Sequence, residues 1–199
     1  MLTSCFPKNA KRLHKMQVPG QNPTYKQTIS SALSKEATAL LQVLSFLDPD
    51  RISEEILTGD AQDVNIPHYP KTKVAYIDAR TELIQSSLTF RDIKNKELRI
   101  HRLAQDVVRK RLTDEESYVA FDSITALLSN CWPFIKFDKR NMVNRLTKCE
   151  SLFLHVERIR VLFENAIRSR VFKPNNRCAA LFNEVAWWVD IPSLRIPHL

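Results

Sequence analysis

Residues 86–112 read SSLTFRDIKNKELRIHRLAQDVVRKRL, and their pattern governs the reading of the whole chain. Leu88 and Phe90 alternate with polar neighbours, and Leu98 and Ile100 do the same, which is the period of a strand with one buried face. Between them, residues 92–96 are short and polar enough for a hairpin loop. From Leu103 the period changes. Leu103, Ala104, Val107 and Val108 share one helical face, with Arg102, Asp106, Arg109 and Lys110 outside it. His101 stands at the joint. A histidine held between a strand and a helix has little freedom, so its ring can be aimed at a ligand.

Upstream, Ser34 is placed to cap a helix whose Ala37, Leu40, Leu41, Leu44 and Leu47 line one face. Val43 and Phe46 widen that face past half the circumference, and Asp48-Pro49-Asp50 stops the helix. A short helix follows, with Ser53 as cap, Glu54 and Glu55 in the first turn, and Gly59 at the exit. Pro67 and Pro70 make residues 60–72 a loop. A third helix over about residues 73–87 turns Tyr76, Ala79, Leu83 and Ile84 inward. Three helices followed by a two-stranded wing is the order of a winged-helix module, here residues 34–112.

Downstream the pattern is helical. Thr113 and Glu116 form a capping box for a helix that faces Tyr118, Phe121, Ile124 and Leu128 inward and ends at Pro133. Another begins near Asn141 and carries Leu146, Cys149, Phe153, Val156 and Phe163 at helical spacing, with a break expected before Asn165. A last helix, residues 179–189, contains Trp187 and Trp188; adjacent positions cannot both face one core, so one of the two is expected at the surface. The expected organisation is a basic leader (1–33), the winged-helix domain (34–112), a helical, tetratricopeptide-like connector (113–190) and an irregular tail (191–199). The fold class is mainly α.

Composition narrows the function. The net charge is +8, but residues 1–35 hold six basic side chains and no acid, leaving 24 basic against 22 acidic residues beyond. The excess therefore sits on a Pro-containing leader that reads as a solvated arm, not on a docking face. A transit peptide also fits the acid-free composition, although Pro7 and a weak apolar face argue against the helix it needs. The only glycines are Gly20 and Gly59. A Walker loop and a dinucleotide-binding turn both need closely spaced glycines, so neither can be built. Cys5, Cys131, Cys149 and Cys178 are too dispersed for a disulfide framework or a metal knuckle, and point to a reducing, cytoplasmic setting. His14, His68, His155 and His198 lack metal spacing and read as surface or loop residues. No apolar run approaches the ~20 residues of a membrane span, and no Ser/His or Cys/His pattern marks a catalytic site.

ALLQVLSFLDPDRISEEIL (39–57), YIDARTELIQSSLTFRD (76–92) and LRIHRLAQDVVRKRL (98–112) together resemble the winged-helix segment of fungal NLR-like proteins, which are signal-transducing P-loop NTPases. CESLFLHVERIRVL (149–162) is similar to the connector that follows that segment, and LFNEVAWWVD (181–190) to the opening helix of a first tetratricopeptide repeat. The resemblance covers residues 25–190 and is strongest over 37–57 and 76–112. It implies a nucleotide-binding domain on one side and repeats on the other, both protein partners supplied in cis or in trans.

In that family a hydrophobic-His-Asp motif at the junction of wing and helix touches the phosphates of bound ADP. Ile100 and His101 match its first two positions, while Arg102 replaces the acid and takes no role. The resemblance thus implies a non-enzymatic regulatory and scaffold module. It has no cofactor or metal of its own, and His101 meets ADP only when a nucleotide-binding domain is present. Alone, the chain is expected to have no ATPase activity and negligible ADP affinity. The alternative is a winged helix that binds nucleic acid. It is disfavoured because residues 73–87 set Arg80 against Asp78 and Glu82 and are close to neutral.

Overall fold

The computed structural model of the chain describes residues 33–134, 143–168 and 175–189. The leader, the tail, Cys5, His14, His198 and the side chain of Trp188 lie outside the described residues. The element order is α1 (Lys35–Phe46), β1 (Ile52–Ser53), α2 (Glu54–Thr58), α3 (Lys73–Gln85), β2 (Thr89–Asp92), β3 (Glu97–Ile100), α4 (Arg102–Arg109), α5 (Asp114–Cys131), α6 (Val143–Arg168) and α7 (Asn176–Val189). The fold is mainly helical with one small antiparallel sheet.

The caps anticipated from sequence form as local chemistry dictates. Ser34 and Ser53 accept from backbone N–H groups of the helices they precede, and Thr72, which the sequence reading did not single out, does the same for α3. Thr113 and Glu116 complete a reciprocal capping box on α5. Gly59 ends α2 with φ −62°, so positive φ is not what asks for glycine there. A Cβ at that position would stand 3.0 Å from the Glu55 carbonyl oxygen.

The core is built around α1. It packs against α3, α4, α5 and α6, which explains why Ala37, Leu40, Leu41, Val43, Leu44 and Phe46 are all buried. Each of these Leu, Val and Phe side chains contributes about 1.5–3 kcal/mol relative to exposure. Beyond α5 the packing is aromatic: Phe121 stacks on Phe163 at 5.3 Å, and Phe163 meets Phe182 at 5.6 Å. Arg145 and Glu184 form a buried ion pair at 2.5 Å that ties α6 to α7. The Arg145 guanidinium also lies 5.7 Å from the Trp187 ring.

Several expectations are corrected. The sheet has three strands in the order β1-β3-β2, with Ile52 opposite Leu98 and Ser53 opposite Glu97, instead of the expected two-stranded wing. A two-residue strand is too short to leave a periodic trace; left-handed Arg51 (φ 51°) immediately precedes it, and the Glu54 N–H donates to the Lys96 carbonyl just past it. Phe90 is 61% exposed, not half-buried with Leu88. Ser87 is left-handed and Leu88 N–H donates to Leu83, so Leu88 completes the exit of α3 and the strand starts at Thr89. The register then sets Thr89 opposite buried Ile100 and sends Phe90 outward beside Arg99. On α4, Leu103 is 60% exposed while Ala104, Gln105 and Val108 are buried. The inner stripe thus takes in Gln105, a position the apolar pattern assigned to neither face. His155, expected at the surface, is 1% exposed because it lies on the same inner stripe of α6 as Leu152, Val156 and Ile159. The break expected before Asn165 is absent; α6 continues to Arg168.

Candidate functional site at the strand–helix junction

His101 occupies the joint between β3 and α4. Its backbone is fixed on both sides. Its N–H donates to the Leu88 carbonyl at 3.2 Å, and its own carbonyl accepts from Ala104 and Gln105 at 2.9 and 3.2 Å. The neighbouring Ile100 N–H donates to Pro49 at 2.9 Å. The imidazole is the N-cap of α4: Nδ1 accepts from the Leu103 N–H at 3.3 Å. An acceptor Nδ1 puts the proton of the neutral ring on Nε2, which is therefore the donor of an exposed side chain. The N-terminus of α4 adds a partial positive charge at the same place.

The surroundings are open. Phe90 and its cross-strand partner Arg99 are exposed, and so is Leu103 on α4. Arg102 is exposed as well and reaches Asp50 only at 3.9 Å, a surface contact of little energy. Behind the exposed face the junction is rigid. The Gln105 amide donates to the Leu44 and Leu47 carbonyls at 2.9 Å each, and Arg109 donates to the Ser45 carbonyl. Two side chains of α4 thus satisfy carbonyls at the end of α1 that have no partner within their own helix. Nothing in the hydrophobic pattern marked Gln105; only a glutamine at helical spacing beside Ala104 and Val108 hints at it.

Other sequence candidates disperse. Asp48, Pro49 and Asp50 form a turn in which Asp48 accepts from the Asp50 N–H, so they serve as a helix stop. His68 sits in a loop with φ 62°. Among the described residues no group of three or more His, Cys, Asp or Glu side chains could hold a metal. Cys131, Cys149 and Cys178 are unpaired, and burial pushes all three thiols up, Cys178 to about 12, which keeps them protonated. On α3, Arg80 is turned onto Glu54 and Glu82 accepts from the N–H and hydroxyl of Ser34. Among the described residues no helix is long and apolar enough to cross a membrane.

Residues 29–117 are similar to a family described as a domain of unknown function (DUF7779), a match that includes the sheet, α4 and His101. No curated protein matches the chain, and no solved structure does.

Proposed function

We propose that the chain is a non-catalytic regulatory and scaffold module of an NLR-like signalling NTPase. In this reading residues 34–112 are a winged-helix domain, and the helices after it are a connector leading to tetratricopeptide repeats. His101 closes over ADP held by a nucleotide-binding domain supplied in cis or in trans, and the connector relays the state of the repeats to that site.

One observation carries the reading: His101 is exposed and its ring is held by its own helix cap, which leaves Nε2–H as the donor of the neutral ring at a helix N-terminus. A charge-assisted bond from that ring to a phosphate oxygen is worth about 1.5–3 kcal/mol, which favours the diphosphate-bound state by about ten- to a hundredfold. The apolar side chains of Phe90 and Leu103 beside it supply dry contact area for a docked domain.

The test is a chimera in which residues 34–190 replace the corresponding segment of a fungal NLR-like receptor that co-purifies with ADP. The chimera is expected to retain ADP, and His101→Ala to speed its release by about ten- to a hundredfold. Equal release rates for the two proteins would sink the proposal.

A further inference from the structure

A second cluster lies away from His101, in a cleft of about 830 Å³ formed by α2, the start of α3 and the β2–β3 turn. At its floor, two guanidinium groups converge on one carboxylate. Arg80 donates to both oxygens of Glu54 at 3.0 Å, and Arg91 Nε donates to one of them at 2.5 Å. These three side chains come from α3, β2 and the first position of α2, and their exposures of 12%, 26% and 14% mark them as largely covered. One carboxylate cannot neutralise two arginines. Lys71, Lys73 and Lys96 line the same cleft and add to the excess. The remaining acid, Glu55, is already paired with Lys148 on α6.

The cluster also carries unused donors. Tyr76 lines the cleft and is 2% exposed, and the O–H of its covered hydroxyl has no acceptor. Its ring lies 5.6 Å from the Arg80 guanidinium carbon, and Arg80 Nε is likewise covered and unpartnered. Burial, reinforced by the charge of Glu54, holds the phenol well above its ordinary range, so it remains a neutral O–H donor. Leaving such a donor unmet in the interior is unfavourable. A ligand acceptor would remove that cost.

We propose that this cleft binds a phosphate monoester, with the dianion held by Arg80, Arg91, Lys73 and Lys96, and with the Tyr76 hydroxyl as an additional donor. A dianion fits better than a carboxylate because the lining has five cationic side chains against two acids, one of them engaged elsewhere. Arginine forks match the geometry of phosphate oxygens, and Glu54 orients both forks before the ligand arrives. The cleft is far larger than a phosphate group and is also lined by Pro70 and Ile77, which gives the group that carries the phosphate an apolar wall. This site is independent of His101, which does not line it.

The experiment titrates the full chain with three probes: acetylated phosphoserine methylamide, the same compound without phosphate, and inorganic phosphate. The phosphorylated probe is expected to bind and the unphosphorylated one not to bind. Tighter binding of phosphoserine than of inorganic phosphate identifies a phosphorylated side chain as the source of the group, whereas equal binding identifies free phosphate. Lys73→Gln with Lys96→Gln, both at exposed positions, is expected to abolish saturable binding. Tyr76→Phe is expected to weaken it by about three- to tenfold while leaving thermal stability unchanged or raised. His101→Ala is expected to have no effect. Failure of both phosphate probes to bind, or binding unaltered by Tyr76→Phe in a folded variant, overturns the proposal.

Discussion

Gln105 on α4 donates its amide to the carbonyl of Leu44 near the end of α1, 61 residues earlier, at 2.9 Å, and the same nitrogen reaches Leu47 at 2.9 Å. The side chain is 1% exposed. Gln105→Ala removes the donor from two buried carbonyls and is expected to destabilise the fold by about 2–4 kcal/mol. Urea denaturation checks this; a change below about 0.5 kcal/mol would mean that those carbonyls find other partners.

Leu98 and Leu103 make a contrast that the sequence pattern alone does not predict. Leu98 is 0% exposed in the central strand, whereas Leu103 is 60% exposed on α4. Leu98→Ala is expected to cost about 2–5 kcal/mol, and Leu103→Ala less than about 0.5 kcal/mol. Comparable losses at the two positions would contradict the facing of α4.

His155 gives the fold a dependence on acid. Burial holds its imidazole below the ordinary value of 6.5, only partly offset by its contact with the Arg51 carbonyl and by the charge of Asp48. The unfolded chain therefore takes up the proton first as pH falls. Stability is complete above about pH 6.5 and declines as pH drops through that value toward the lower folded-state one. Thermal melts between pH 7.5 and pH 5.5 are expected to show this decline. His155→Gln should flatten the profile, and an unchanged slope in that variant would assign the effect to another group.

Glu184 supplies the counter-charge of Arg145, a guanidinium whose side chain is 1% exposed. Removing one partner of a buried pair is far costlier than breaking a surface contact. Glu184→Ala is expected to destabilise by about 3–5 kcal/mol, read as a lowered denaturation midpoint. Glu157→Ala, which removes a partially exposed contact of Arg160 on α6, is expected to cost no more than about 1 kcal/mol.

Much of the fold was legible in the sequence where the signal is local. Ser34, Ser53 and the Thr113–Glu116 pair mark helix starts because a side-chain oxygen meets an N–H two or three residues on. The stripe of α1 was readable because a helix buried by several neighbours shows its apolar positions densely. The place of His101 was readable too, since the change from period two to period 3.6 falls on it. Phe90, His155 and strand β1 were not. Their burial depends on register and on which element arrives opposite, and those are properties of pairs of segments.

By itself, then, the sequence determined the succession of helices and the β2–β3 hairpin, the caps at Ser34, Ser53 and Thr113, and the position of the junction histidine. These follow from hydrogen bonds and side-chain periodicities within a few residues. The tertiary structure alone decided which face of α4 turns inward, how the sheet gains its third strand, and where charge gathers. Arg80 and Arg91 meet Glu54 across separations of 26 and 37 residues. A carboxylate and two guanidinium groups so far apart in the chain share an electrostatic field only after folding has removed the water between them.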